Sequence, residues 1–96
     1  MSKVRLELFS GLAESLGIEE SLETDIDGEN TVRHFLGILA ARYPRFGQFV
    51  FDAPTQSLTE NVIIFLNDHH IELMDGLETK LNDGDTLTLV PPVEGG

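Results

Sequence analysis

The chain closes on Gly95-Gly96, set directly behind the spacer Pro91-Pro92-Val93-Glu94, and this ending carries the chemistry most open to it. Glycine lacks a Cβ and reaches backbone regions closed to other residues, so a terminal pair can thread a channel too narrow for any side chain. The reacting group is then the α-carboxylate of Gly96, with Gly95 as its slim lead-in. Other candidates are weaker. His69-His70 stands beside Asp68 and Glu72, but neighbouring residues on an extended chain point apart and no CxxC or HExxH spacing accompanies them. The pair reads as a solvated turn, and no metal ligand is assigned. His34, beside Arg33 on the polar side of a helix, reads as surface. Asp25-Ile26-Asp27 and Asp83-Gly84-Asp85 pair carboxylates at turns, where aspartate is favoured for local hydrogen bonding, which argues against general acid/base work. There is no cysteine, so disulfides, thiolate metal sites and a cysteine nucleophile are removed together. Any sulfur chemistry must use imported sulfur. No Walker loop is present, so no cofactor is expected to bind this chain directly.

Seventeen acidic residues oppose six basic ones, a formal charge of −11. That balance argues against a nucleic-acid backbone or an anionic membrane as partner and toward a basic protein surface, while also serving solubility. Ninety-six residues suit one core. The uncharged runs are too short to span a membrane. Met1-Ser2-Lys3-Val4-Arg5 alternates apolar with charged residues rather than opening an apolar stretch, so it does not read as a signal peptide. A cytoplasmic location is the expectation.

The elements that must position the tail follow from periodicity. Val4, Leu6 and Leu8 alternate with Lys3, Arg5 and Glu7, which predicts a strand over 3–9. Ser10 to Gly17 predicts a short helical turn, with Leu12, Ala13 and Leu16 inward and Gly17 as its C-cap. Leu22, Thr24 and Ile26 predict a second strand, ending at Asp27-Gly28-Glu29-Asn30. Thr31 caps the principal helix, whose inner face is Val32, Phe35, Leu36, Leu39, Ala40 and Tyr43. Pro44 ends it. Residues 43–60 show no sustained period and read as a long connection that tucks some aromatics under its path. Val62 to Leu66 is continuously apolar, as in a central strand covered on both faces, and Asn67-Asp68 turns the chain. A short strand at Ile71 and Leu73 is expected, then a turn at Gly76, anchors at Leu77 and Leu81, and the turn Asn82 to Asp85 into a last strand over 86–90. If Leu87 and Leu89 face the core, Thr86, Thr88 and Val90 face outward beside the tail; the opposite assignment buries the threonines. This order gives an α+β domain in two layers, one main helix packed on a sheet of about five strands.

Residues 83–96, Asp-Gly-Asp-Thr-Leu-Thr-Leu-Val-Pro-Pro-Val-Glu-Gly-Gly, resemble the turn, final strand, proline pair and diglycine of the MoaD/ThiS sulfur carriers, within the ubiquitin-like β-grasp superfamily. Phe9 to Glu14, Thr31-Val32 and Asn67-Asp68 add support, and the likeness spans nearly the whole chain. It implies a β-grasp domain over 1–90, with a mixed sheet, and a flexible tail over 91–96. It also implies a carrier rather than an enzyme. The Gly96 carboxylate would be adenylated by a ubiquitin-activating-type enzyme, which binds the ATP. A sulfur donor such as a cysteine desulfurase would then supply the thiocarboxylate. The tail looks most like that of the molybdopterin synthase small subunit, which gives its sulfur to a pterin held by the large subunit. Gly76 to Asp85 and the segment 43–60 resemble carriers of cysteine synthesis and archaeal-type members that modify proteins; thiamine or tRNA thiolation is a further alternative. Partner contacts are expected at Thr86, Thr88, Val90, Pro91, Pro92, Val93 and Glu94.

Overall fold

The computed structural model describes residues 2–27, 30–52 and 54–92. Strand β1 (Ser2–Leu8) buries Val4, Leu6 and Leu8 and exposes Lys3 and Arg5, the alternation its sequence requires. Helix α1 (Ser10–Leu16) turns Leu12, Ala13 and Leu16 inward and stops at Gly17, whose φ of 71° lies in the left-handed region. There the Gly17 N–H donates to the carbonyls of Ala13 and Glu14, which closes the helix end. Strand β2 (Ser21–Ile26) returns antiparallel to β1. Thr31 caps α2 (Val32–Arg42) by accepting the His34 N–H at 3.1 Å, and Val32, Phe35, Leu36 and Leu39 form the buried stripe of that helix.

Pro44 ends α2 and also opens a second helix, α3 (Pro44–Phe49), within the segment read from sequence as a connection. Proline lacks an N–H that the first helical turn would leave unpaired in any case, so one residue serves both roles. Helix α3 delivers Phe46 to the core, followed by Val50 and Phe51, all essentially inaccessible. Fully burying such side chains contributes roughly 1.5–3 kcal/mol each. Strands β3 (Phe51–Asp52) and β4 (Ser57–Leu58) then form a small separate hairpin.

Strand β5 (Ile63–Leu66) differs from expectation in being covered on one face only: Ile64 and Leu66 are buried, whereas Ile63 and Phe65 stay half-exposed. The turn at Asn67-Asp68, both at positive φ, leads into β6 (His69–His70). The strand expected at Ile71 and Leu73 is instead a 3₁₀ turn over Ile71–Leu73. His70 accepts the Glu72 N–H on Nδ1, which curls the backbone, so Ile71 alone of that turn enters the core. A second 3₁₀ turn, Gly76–Glu78, precedes the buried Leu81.

The last strand, β7 (Thr86–Val90), lies in the middle of a five-stranded sheet ordered β2-β1-β7-β5-β6. It runs parallel to β1 and antiparallel to β5, so the sheet is mixed. With α2 across its inner face this is the ubiquitin-like β-grasp, and the sequence-based α+β assignment holds. Leu87 and Leu89 point into the core, which settles the alternation in favour of outward Thr86, Thr88 and Val90. Among the described residues no helix is long and apolar enough to cross a membrane.

Candidate functional site

The hydrogen bonds and register around β7 fix where the chain passes into Pro91. At its start, Asp85 accepts the Asn82 N–H at 2.7 Å on one carboxylate oxygen and the Asn67 side-chain amide at 2.9 Å on the other. Asn67 in turn accepts the Thr86 N–H at 3.0 Å. Asp83 accepts the Lys3 N–H at 2.8 Å, and the Gly84 N–H donates to the Lys3 carbonyl. The carboxylates flanking Gly84 are therefore consumed in fastening the β7 turn to β1 and β5. At its end, Leu89 lies opposite Ile64 and Leu8, and Val90 opposite Ile63. Held between two neighbours, β7 cannot slip by one residue without turning Leu87 and Leu89 out of the core.

The chain emerges at Pro91, exposed, and Pro92, half-buried. Val93, Glu94, Gly95 and Gly96, expected to carry the reacting end, lie outside the described residues. Beside Pro91 is a largely apolar groove of about 240 Å³ lined by Phe9, Leu12, Phe49 and Asn61 among others. Phe9 is 57% and Phe49 38% exposed, unusual for phenylalanine and conspicuous next to the tail. Asn61 holds the Phe49 carbonyl at 2.9 Å, which steadies that wall.

The outward face of the sheet carries apolar groups of its own. Thr86, Thr88 and Val90 on β7 are half-buried there, as are Ile63 and Phe65 on β5. His70 lies opposite Phe65 in the β5–β6 pairing, its ring 5.4 Å away and edge-on at 64°. His70, read from sequence as part of a solvated turn, is thus half-buried and belongs to this face. His69 is exposed and His34 half-buried, with Nε2 3.1 Å from the Asp27 carbonyl. Among the described residues no three His, Asp or Glu side chains gather as metal ligands would.

Thr86, Thr88 and Val90 lie on the outward face of β7 and Pro91 and Pro92 at the chain exit, whereas Phe9 and Phe49 beside Pro91, and Phe65 and His70 beside Thr88, were not read from sequence as their neighbours. Phe9 carried a usable signal, since a large apolar residue directly after Leu8 falls out of step with the inward Val4, Leu6 and Leu8. Phe49 and Phe65 carried none, because their neighbours are set by tertiary packing.

The family model described as ThiS family matches residues 6–96. The chain belongs to the ThiS family of ubiquitin-like sulfur carriers. Small archaeal modifier protein 3 of Haloferax volcanii is 30% identical over 95 residues, which cover 98% of this chain and 99% of that one. The solution structure of small archaeal modifier protein 1 from Methanosarcina acetivorans superposes with a TM-score of 0.76 at 31% identity, covering 100% of this chain and 98% of that one. The crystal structure of the Amycolatopsis orientalis BexX/CysO complex matches with a TM-score of 0.74 at 27% identity, over 97% and 99% of the two chains. Carriers and modifiers of this family act through partner enzymes and are not themselves enzymes.

Proposed function

We propose that the Gly96 carboxylate of this carrier is the group that is chemically loaded. An ubiquitin-activating-type enzyme binds ATP and joins the carboxylate to AMP, expelling pyrophosphate. A carboxylate is a poor acceptor, and the mixed anhydride supplies the missing leaving group. The persulfide sulfur of a donor such as a cysteine desulfurase then displaces AMP to form an acyl disulfide, and a thiol reductant cleaves its S–S bond, leaving a thiocarboxylate on the carrier. Tethered to the domain, that sulfur is held at high local concentration inside an acceptor enzyme. The observation that carries this reading is the exit of the chain from the central strand at exposed Pro91, beside the apolar wall of Phe9 and Phe49. Pro91 and Pro92 hold φ near its fixed value and start the tail away from the sheet.

For the acceptor we favour the large subunit of molybdopterin synthase, with this chain as the small subunit, because Pro91-Pro92-Val93-Glu94-Gly95-Gly96 resembles the tail of that subunit. Purified thiocarboxylated carrier is then expected to bind the large subunit from the same source and to convert the sulfur-free pterin precursor. A second reading is supported by the 30% identity to small archaeal modifier protein 3 over nearly the whole length. In it the same adenylate ends in an isopeptide bond to a lysine. Failure of pterin conversion together with lysine-linked adducts that vanish on deleting Gly96 would select the modifier. Transfer to an activated serine derivative in a cysteine-synthase assay would instead select cysteine synthesis.

A further inference from the structure

Among the described residues, one edge of the sheet has no partner strand along its length. Strand β2 is bonded to β1 on one side, from Ser21 opposite Glu7 to Ile26 opposite Ser2, and among the described residues no strand lies on its other side. An unpaired edge presents a row of N–H and C=O groups that templates another strand, and natural edges are commonly blunted by brevity, bulges or proline. The opposite edge, β6, is two residues long. β2 has six residues, regular pairing and no proline.

Both faces of this edge are furnished for an added strand. On the core side Ile18, Leu22 and Tyr43, all partly buried, line a groove of about 310 Å³ with Gly17 and Glu19. On the outer side Glu23 and Asp25 are exposed. Strand β1 is a worked example of what β2 accepts. Arg5 stands opposite Glu23 and Lys3 opposite Asp25, with Val4 and Leu6 alternating inward, and the Arg5 guanidinium lies 3.3 Å from the Glu23 carboxylate. A second copy of β2 across the open edge would set these acids against one another, so charge rejects self-pairing and favours a basic strand.

We propose that the outer edge of β2 is a strand-addition site for a basic partner. The occupant is an extended polypeptide segment alternating Arg or Lys with Val, Ile or Leu. Its apolar side chains lie over Ile18, Leu22 and Tyr43, its cations face Glu23 and Asp25, and main-chain hydrogen bonds run along Ser21–Ile26. The site is separated from β7 by β1 and does not depend on activation of Gly96.

The test titrates the isotope-labelled full chain, observed by NMR, with a capped hexapeptide alternating arginine and valine. Saturable shifts confined to residues 18–26 and Tyr43 are expected, with slowed hydrogen exchange of the β2 amides that point away from β1. A peptide with both central residues, one arginine and one valine, replaced by proline, which cannot donate, should lose the protection whichever way the added strand runs. Exchanging both acids (Glu23→Lys with Asp25→Lys) should weaken binding by about tenfold, the sum expected for reversing two exposed charge pairs. Should that variant fail to fold, the proline peptide on the unaltered chain decides. Shifts scattered over the acidic surface, centred on Thr88 and Val90, or equally strong with the proline peptide would overturn the proposal.

Discussion

At the residue scale, the carboxylates that look most like chemistry are anchors. Asp85 accepts from both Asn82 and Asn67, and Asn67 passes the constraint to Thr86, the first residue of the strand that delivers the tail. Replacing Asp85 by Ala strands two donors; because the site is partly open to water, the expected loss is about 1–2 kcal/mol, read as a shift in denaturant midpoint at unchanged slope. An unshifted midpoint would show that water satisfies those donors equally well. The turn role of Asp83 and Asp85 was legible because aspartate beside glycine has a known local use. The place of His70 was not, since only the β5–β6 register sets its ring against Phe65. Around the exit, Phe9→Asp and Val90→Asp alter groups already partly in water, so melting temperature should change little. Binding to the activating enzyme or acceptor should weaken by roughly 2 kcal/mol or more, because a charge would be trapped in an apolar contact. Calorimetry on both variants decides, and unchanged affinity would remove this face from the docking surface.

At the element scale, β1, α1, β2, α2 and β7 were all readable because each is long enough to display its period or carries a cap at its end. The elements that escaped are short. Helix α3 spans six residues, less than two turns, so Phe46 and Phe49 show no repeating stripe, and the 3₁₀ turn at Ile71–Leu73 depends on a side-chain bond from His70. Yet α3 is a core element. Phe46→Ala should cost about 3–5 kcal/mol, a large share of the stability of so small a domain. A loss below about 1 kcal/mol in denaturant unfolding would mean that α3 is dispensable to the fold. The central run over 62–66 misled in another way: continuous apolarity reads as two buried faces, but Ile63 and Phe65 spend theirs on the outward surface where β7 presents Val90.

At the scale of the whole molecule, a charge of −11 on 96 residues makes the domain a strongly negative body. If that field steers it to a basic patch on its activating enzyme, stopped-flow association should slow as salt rises, since screening acts over about 8 Å at physiological ionic strength. A flat salt dependence would leave the acidic excess as a solubility feature. The β-grasp domain, on this account, exists to hold one carboxylate at the end of a short tether, and the most direct measurement is the intact mass of the chain after incubation with its activating enzyme, ATP and a sulfur donor. The account predicts a mass gain equal to exchanging one oxygen for sulfur on the native chain, absent when Gly96 is deleted or one residue is added after it. An unchanged mass on the native chain, or normal sulfur loading of the untrimmed extended chain, would contradict it.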